Sequence, residues 1–306
     1  MDGNHSKILF SVIIPHRDSI KSLGRLFNSI PQCDDIEIIL VDNSDKSIQK
    51  SEISIDRPYY LLYSSPLRYA GGARNEGLKV AQGKWVIFAD SDDYFTTDAF
   101  DNFRKYADSE YDLVYFKMDS VYNDTLKHSD RGDFFSNKID LWANRIISDN
   151  ELKLCFDTPC CKMVRMDLIK DNNIQFDEII ASNDSFFSLL VGFYSQKFIA
   201  DSSYVYVATT NNGSLTKKRS LPIYEARLNA VLRRNSFLKS KGLGQYQYSV
   251  MSYLYNIVGF GVIPAFKSIW SVIKYKQNPF VGCSNWYKSF VKERKINRTD
   301  KDNFKK

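Results

Sequence analysis

Residues 85–93 read WVIFADSDD, an apolar run that ends abruptly in a cluster of carboxylates. The first five residues are apolar on both faces and follow a Gly-Lys pair, which predicts a short buried strand. Asp90, Asp92 and Asp93 then fall within four residues, and their charges repel one another unless a cation or another partner offsets them. The stretch therefore predicts a buried sheet whose edge holds a cation or another charged partner.

The segments before this strand repeat the same pattern. Apolar runs at residues 8–14, 36–41 and 59–63 predict three more strands, and helical spacing at 20–30 and 73–82 predicts helices between them. Strands that alternate with helices and are apolar on both faces are typical of an α/β domain with a mostly parallel sheet. Ligands of such domains collect at the carboxyl ends of the strands.

The chain changes in composition near residue 216. Before that point the patterns predict strands at 111–118 and 204–209, and helices at 139–148, 166–173 and 183–196. After the loop-like stretch TTNNGSLTKKRS, residues 209–220, the pattern becomes helical and basic. We therefore predict one domain over residues 1–216 and a helical, basic C-terminal region over 217–306.

Charge is distributed unevenly between these two parts. The 306 residues include 42 Lys and Arg against 36 Asp and Glu, a formal net charge of +6. Residues 217–306 hold 19 of the basic residues and 4 of the acidic ones, which gives +15 there and −9 in the rest. The acidic first part, residues 1–216, is suited to binding cations. The basic end, with its interleaved aromatic residues, suits nucleic acid or anionic lipid, or is simply a solvated helical face.

Several features of the sequence bear on cellular location. Residues 248–270 are apolar enough to raise the question of a membrane span, but Asn256, Pro264 and two glycines favour a buried or interfacial pair of helices. The chain starts with polar residues and shows no secretory leader, and its five cysteines lack CxxC spacing. These features predict a cytoplasmic protein with reduced thiols.

Five segments, in this order and spacing, resemble the family 2 glycosyltransferases with the GT-A fold. They are SVIIPHRD (11–18), IEIILVDNSD (36–45), AGGARNEG (70–77), WVIFADSDD (85–93) and SNDSF (182–186). The resemblance covers residues 8–215 and implies a Rossmann-like, mostly parallel sheet flanked by helices. It also implies transfer of a sugar from a nucleotide-diphosphate donor, with UDP as the expected nucleotide. The implied acceptor is a glycan or a polyprenyl-diphosphate-linked saccharide of bacterial surface polysaccharide synthesis.

The resemblance implies a metal-dependent donor site. It assigns Asp92 to Mn²⁺ or Mg²⁺, which prefer oxygen ligands, and Asp90 to both the ribose and the ion. Pro15 and Asp42 match contacts to the nucleobase, and Arg74 matches the Arg of the family's ARN segment. The implied nucleotide contacts are Pro15, His16, Arg17, Asp42, Asn43, Arg74, Asp90 and Ser91, with His16-Arg17 in place of the common Tyr-Asn. Asp93 has no assigned role.

The resemblance also implies an inverting reaction with Asp184 as its general base. Asp184 follows Asn183, which replaces the usual Glu, and is expected to take the proton of the attacking hydroxyl. From the residues alone, Asn183 or Asp184 could instead cap the helix that follows, and the two roles are compatible. Lys162 matches a family Lys and, like Asn183, is expected near phosphate or acceptor. Gly71 and Gly72 are expected to let the backbone approach a ligand closely.

Two other functions remain open at this point. A haloacid-dehalogenase-like phosphatase also has a strand that ends in Asp-x-Asp, although Tyr94 stands where a Thr or Val is expected. A protein that binds a sugar nucleotide without turnover would share the fold.

No nucleic acid partner is expected. The basic region is predicted to dock the protein peripherally at the inner face of the plasma membrane, near anionic lipid.

Overall fold

A computed structural model describes residues 8–18, 20–53, 55–210 and 219–281 of the chain. By its internal contacts the chain divides into two compact units, residues 1–217 and 218–306. The described part of the first unit is built on one sheet, and the described part of the second is helical.

The sheet in the described part of the first unit is mixed and has eight strands. They are β1 Phe10–His16, β2 Ile36–Asp42, β3 Tyr60–Tyr63, β4 Trp85–Phe88, β5 Tyr94–Phe95, β6 Leu113–Tyr122, β7 Lys162–Arg165 and β8 Phe198–Thr210. Their order across the sheet is β3-β2-β1-β4-β7-β6-β8-β5. Neighbouring strands from β3 to β4 are parallel, as are β6 and β8, whereas β7 and β5 run antiparallel to their neighbours. The predicted α/β architecture is confirmed.

Helices cover the sheet because its strands are apolar on both faces. The described helices of the first unit are α1 Leu23–Asn28, α2 Tyr69–Val80, α3 Ala99–Arg104, α4 Asp133–Ala143, α5 Asp149–Leu154, α6 Met166–Asp171 and α7 Ser185–Tyr194. Every residue of β1, β2 and β4 is buried. α2 packs on β1, β2 and β3, while α4 packs on β6 and β8.

The register of the parallel strands brings polar residues to one edge of the sheet. His16 at the end of β1 pairs with Asp42 at the end of β2, and Ile13 of β1 pairs with Phe88 of β4. Asp90 follows Phe88 by two residues and so lies level with the end of β1. The polar ends of three strands therefore lie side by side.

Two short strands and one helix are among the elements that differ from the sequence prediction. β5 and β7 are only two and four residues long, too short to give a periodic signal. The helix predicted at 139–148 lies at Asp133–Ala143, because buried Ser136 anchors it to β6. The Ser136 hydroxyl donates to the Met118 carbonyl at 2.6 Å and accepts from the Met118 amide at 3.0 Å. A polar residue at a buried position hides the start of this helix from a hydrophobic pattern.

The second unit contains three described helices, α8 Leu221–Ser240, α9 Met251–Val258 and α10 Val262–Lys274. Its small core consists of Tyr224, Leu228, Val231, Leu232, Val250, Ile257 and Val272. The apolar segment 248–270 is thus divided between α9 and α10, as the predicted pair of helices. Within the described ranges, no helix has the length and apolar character needed to cross a membrane.

Candidate active site

Arg74, on α2, connects the two acidic segments of the site. Its Nη2 donates to Asp90 Oδ1 at 2.6 Å, and its Nη1 donates to Asn183 Oδ1 at 2.9 Å. The guanidinium is buried and lies over the Phe176 ring, 5.2 Å from the ring centroid. Although 109 residues separate Arg74 from Asn183, the ARN, DSDD and SND segments therefore form one polar cluster.

α2 also holds the segment that carries Asp184. The Asn75 side chain exchanges two hydrogen bonds with the Phe176 backbone, at 2.9 and 3.0 Å. A Cβ at Gly71 would lie 2.0 Å from the Asp177 carbonyl oxygen, so glycine is required for this close packing. The close approach of Gly71 is therefore made to the protein's own backbone, where the sequence suggested an approach to a ligand.

Asp184 occupies the N-cap position of α7, but its carboxylate does not cap the helix. Among the described residues its side chain makes no capping hydrogen bond, and it is partly exposed. The surrounding protein raises the pKa of Asp184 to about 6 by desolvation, which the charge of Arg74 partly opposes. A carboxylate with this pKa is suited to accept a proton near neutral pH.

Asp90 and Asp92 are partly exposed carboxylates at the end of β4. One Asp90 oxygen accepts from Arg74, and the Asp92 carbonyl accepts from Arg25 Nη2 at 2.7 Å. In the part of the chain that the structure describes, no three His, Cys, Asp or Glu side chains are grouped as a metal site. An ion bound with a nucleoside diphosphate takes its other oxygens from phosphate and water. Asp92 and the second oxygen of Asp90 fit such an ion.

Asp93 is buried and ties the acidic loop to β8. Its Oδ1 accepts from the Thr209 amide at 2.7 Å, and its Oδ2 accepts from the Tyr206 hydroxyl at 2.9 Å. The Tyr206 oxygen in turn accepts from the Asp90 amide at 2.8 Å. Burial and the neighbouring charges of Asp92 and Asp90 raise the pKa of Asp93 well above its usual range. The side chain that had no role in the sequence prediction thus positions the loop.

Asp42 and His16 form a buried pair at the ends of β2 and β1. His16 Nδ1 lies 3.0 Å from Asp42 Oδ1, which also accepts from Ser44 Oγ at 2.6 Å. Asp42 Oδ2 accepts from the Ile48 amide at 3.0 Å. Burial alone would raise the pKa of Asp42, but the hydrogen bonds from Ser44, His16 and Ile48 outweigh it and lower the pKa. Asp42 is therefore an ionised carboxylate whose position the protein itself fixes.

The other residues expected at the nucleotide differ in exposure. Pro15 and Asn43 are buried, and the Asn43 amide donates to the His16 carbonyl at 2.9 Å. Arg17 is exposed and forms an ion pair with Asp45 at 3.2 Å. Ser91 is partly exposed within the acidic loop. In this group, Arg17 and Ser91 have side chains that reach solvent.

Lys162 lies in the core of the first unit, because its strand β7 is an interior strand between β4 and β6. Its fully buried Nζ donates to the Phe156 carbonyl at 3.1 Å and lies over the rings of Phe156 and Tyr115. Burial lowers the pKa of Lys162 to about 8, although nearby acidic groups, including Asp184, oppose this lowering. The Lys162 side chain is therefore fully buried, whereas the sequence predicted that it lies near phosphate or acceptor.

Arg131 is a part of the site that the sequence did not predict. It precedes α4 and donates to the carbonyl of Thr209. The guanidinium lies beside the acidic loop, because the amide of the same Thr209 donates to Asp93 and its hydroxyl donates to the Asp92 carbonyl. Burial lowers the pKa of Arg131, but the three carboxylates of the DSDD segment outweigh it and raise the pKa. Arg131 stands in a polar loop and Tyr206 in an ordinary strand pattern, so spacing could not reveal either one. Asn75 could have been found, because it belongs to the ARN segment.

Solved structures of other proteins share this fold. A fragment of TarS from Staphylococcus aureus in complex with UDP-GlcNAc matches with a TM-score of 0.63 and 19% identity, over 87% of this chain and 80% of that one. The mannosyltransferase PcManGT from Pyrobaculum calidifontis in complex with GDP-Man and Mn²⁺ matches with a TM-score of 0.52 and 14% identity, over 87% and 79% of the two chains. At these identities the likeness establishes the fold.

Relatives in sequence include proteins named for poly(ribitol-phosphate) and for teichoic acid biosynthesis. The poly(ribitol-phosphate) beta-N-acetylglucosaminyltransferase TarS of Staphylococcus aureus is 28% identical over 220 residues, which cover 67% of this chain and 36% of TarS. The minor teichoic acid biosynthesis protein GgaB of Bacillus subtilis is 31% identical over 184 residues, 55% of this chain and 19% of GgaB. The chain thus spans about a third or less of the length of these relatives.

A family model matches more than half of the chain. It is described as glycosyl transferase family 2 and covers residues 11–172. This span includes the ends of β1, β2 and β4, Arg74 and the whole DSDD segment. The chain belongs to glycosyl transferase family 2.

Proposed function

We propose that the protein transfers a sugar from a nucleotide-diphosphate donor to a hydroxyl group of an acceptor. The observation that carries this proposal is the double contact of Arg74, which joins Asp90 of the acidic loop to Asn183 beside Asp184. The proposed donor site and the proposed base, Asp184, are thereby held on either side of the buried Arg74 guanidinium. Such positioning of the reacting groups is the main requirement of a displacement reaction.

Asp184 is the proposed general base of an inverting transfer. Its carboxylate takes the proton of the acceptor hydroxyl while that oxygen attacks the anomeric carbon. The bond from this carbon to the diphosphate oxygen breaks on the opposite face, and the nucleoside diphosphate leaves with the bonding electrons. The pKa of about 6 keeps Asp184 mostly ionised at neutral pH and still basic enough for this task. Asn183 accepts from Arg74, so it helps to orient the segment without adding a second charge.

The donor is proposed to lie along the carboxyl ends of β1, β2 and β4. Pro15 and Asp42 would face the nucleobase, Asp90 the ribose, and Asp92 with Asp90 would hold Mn²⁺ or Mg²⁺. When bound, such an ion offsets the charge that develops on the leaving diphosphate. The Mn²⁺ in the complex of the structurally similar mannosyltransferase supports a divalent ion here. Arg131 adds a fixed positive charge beside the same loop.

The relatives favour UDP and a surface polymer. TarS is solved with UDP-GlcNAc, and the names of TarS and GgaB refer to poly(ribitol-phosphate) and teichoic acid. We therefore expect a UDP-sugar donor and, as acceptor, a hydroxyl of a glycan or of a polyprenyl-diphosphate-linked saccharide. We place the protein in the cytoplasm of a bacterium, with peripheral association at the inner face of the plasma membrane through the basic C-terminal region.

A panel of sugar nucleotides tests the proposal. The purified chain is mixed with Mn²⁺ and each UDP-, GDP- or dTDP-linked sugar, and both the Tm and the release of nucleoside diphosphate are measured. At least one UDP-sugar should raise the Tm and be hydrolysed slowly, and EDTA should remove both effects. If no sugar nucleotide changes the Tm or is hydrolysed, the proposal is wrong.

The two alternative functions account for less of the geometry. A phosphatase that used Asp90 as its nucleophile would not account for the contact of Arg74 with Asn183 beside Asp184, and its family would not be that of the chain. A protein that only bound a sugar nucleotide would not need a carboxylate with a pKa near 6 beside the donor site. Replacement of Asp184 distinguishes a transferase from a protein that only binds the sugar nucleotide. In a transferase the replacement should remove transfer and leave nucleotide binding intact.

A further inference from the structure

The helix α10 exposes an apolar face that the core of the second unit does not use. Six large apolar residues of this helix are exposed, namely Val262, Ile263, Phe266, Ile269, Trp270 and Ile273. Val262 is 81% exposed, Phe266 73% and Trp270 64%. Globular proteins rarely leave so many adjacent large apolar side chains in water unless the patch binds something.

The exposed residues lie on one side of the helix. At about 100° per residue, the six fall within an arc of about 120°. The buried residues Ser268 and Val272 lie on another side, where α10 packs on α8 and α9. Lys267 and Lys274 are exposed and border the apolar arc. The outer half of α10 is therefore amphipathic, and we call the six exposed apolar residues the α10 face.

The dimensions suit a helix that lies on a bilayer. α10 has 13 residues, which span about 20 Å, whereas the hydrocarbon core of a bilayer is about 30 Å thick. Exposed apolar residues continue at Val258 and Phe260, just before the helix. Trp and Phe on one face with lysines beside them are typical of interfacial helices.

Charge indicates what covers the α10 face. Residues 219–281 contain nine Lys and Arg and a single acidic residue, Glu225. A second copy of this unit would bring the same positive charge against itself. Anionic lipid headgroups complement that charge and place hydrocarbon within reach of the apolar residues.

We propose that the α10 face inserts into the interface of an anionic lipid bilayer. Phe266 and Trp270 act as apolar anchors, and Lys267 and Lys274 contact the headgroups. The α10 face is the surface through which the proposed peripheral association would occur, so the inference rests on that part of the proposed function. It does not depend on the transfer chemistry, because the candidate site is formed by residues of the first unit.

Vesicle flotation tests the inference. The full chain is floated with phosphatidylcholine vesicles that contain or lack phosphatidylglycerol, at low and at physiological salt. The wild type should float with the anionic vesicles, and Phe266→Ser/Trp270→Ser should weaken the partition about tenfold or more. Ile263→Ser/Ile273→Ser provides a second pair on the same arc. Lys267→Gln/Lys274→Gln should weaken binding and reduce its dependence on salt.

Ile146→Ser is the matched control, because Ile146 is 68% exposed but belongs to the first unit. This variant should float like the wild type. All the replaced side chains are exposed, so thermal melting by circular dichroism should show folded variants with unchanged Tm. Hydrolysis of a UDP-sugar should also be unchanged in Phe266→Ser/Trp270→Ser, which separates a failure of this inference from a failure of the proposed transfer.

Three results would overturn the inference. One is a wild type that does not float with anionic vesicles at low salt. Another is a pair of apolar double variants that float as well as the wild type, since charge alone would then explain binding. The third is a wild type that dimerises in sedimentation velocity without floating, while Phe266→Ser/Trp270→Ser is monomeric, since the α10 face would then join two copies of the chain.

Discussion

The carboxylates at the carboxyl edge of the sheet form two groups with different surroundings. Asp42 and Asp93, here called the anchored pair, are buried and accept hydrogen bonds from protein donors on both oxygens. Asp92 and Asp184, here called the open pair, are partly exposed at the same edge. Acidic residues in one site can therefore serve separate purposes. The anchored pair is held by the protein's own donors, and the open pair is partly exposed where donor and acceptor are proposed to bind.

Asp92 and Asp93 show this difference between adjacent residues. The Asp93 carboxylate is bound by Thr209 and Tyr206 of β8. The Asp92 carbonyl is held by Arg25 Nη2 at 2.7 Å and by Thr209 Oγ1 at 2.8 Å. Main-chain contacts therefore fix the position of Asp92, which as a residue is partly exposed. Such support is what a preorganised ligand site requires.

The largest predicted effect is on Asp184 of the open pair. Asp184→Asn should lower the rate of sugar transfer about 1000-fold, because the acceptor hydroxyl loses its base. The affinity for UDP should not change. The folded-state pKa of Asp184 lies above its ordinary value, so the ionised carboxylate costs folding free energy at neutral pH. The Tm of the variant should therefore be equal to that of the wild type or higher.

Asp98→Asn is the control for this comparison. Asp98 is exposed and also occupies an N-cap position, that of α3, without a side-chain capping bond among the described residues. Transfer by Asp98→Asn should match the wild type in a radiolabel or product-release assay. Unchanged transfer by Asp184→Asn would remove this residue from the mechanism.

The next effect concerns Asp93 of the anchored pair. Asp93→Ala should lower the free energy of unfolding by about 1–3 kcal/mol, because the buried Thr209 amide and Tyr206 hydroxyl lose their acceptor. Asp93→Asn keeps an acceptor and should recover most of this loss. Asp92→Ala should lower the free energy of unfolding less than Asp93→Ala does, because Asp92 is partly exposed and Asp93 is buried. Urea unfolding measures all three, and a larger loss for Asp92→Ala than for Asp93→Ala would contradict the distinction.

The smallest effect is the pH dependence of the wild type. Below pH of about 6 the Asp184 carboxyl is protonated and cannot accept a proton, so kcat/KM should fall about tenfold per pH unit there. A carboxyl with an ordinary pKa would sustain activity to about pH 4. A pH profile of kcat/KM, with the Tm followed at each pH, makes the measurement. Constant activity down to pH 5 would show that the base is not a carboxyl of raised pKa.

Local patterns in the sequence predicted the frame of the site. The runs that became β1, β2 and β4 are apolar on both faces, and each is followed by polar residues, so both the strands and their common edge could be inferred. The prediction of Asp90 and Asp92 at that edge rests on the same local signal. What surrounds them could not be inferred, because Tyr206 lies 116 residues from Asp90 and a tyrosine in a strand has no distinguishing pattern.

Gly71 and Lys162 show why motif matching does not determine what surrounds a residue. Gly71 signals a close approach, but the sequence cannot say that the approaching group is the Asp177 carbonyl. Lys162 matches a family position, yet β7 inserts between β4 and β6 and its side chain is buried. In both cases the outcome depends on which distant segments the fold brings together, and a linear pattern contains no such information.

Titration of UDP with and without Mn²⁺ tests the division between open and anchored carboxylates most directly. The wild type, Asp92→Asn and Asp93→Asn are compared by calorimetry, because the two replacements are chemically identical and adjacent. Mn²⁺ should tighten UDP binding about tenfold or more in the wild type and in Asp93→Asn, and should have no effect in Asp92→Asn. Binding that is equally strong with and without Mn²⁺ in the wild type, or Mn²⁺ dependence retained in Asp92→Asn, would contradict the account.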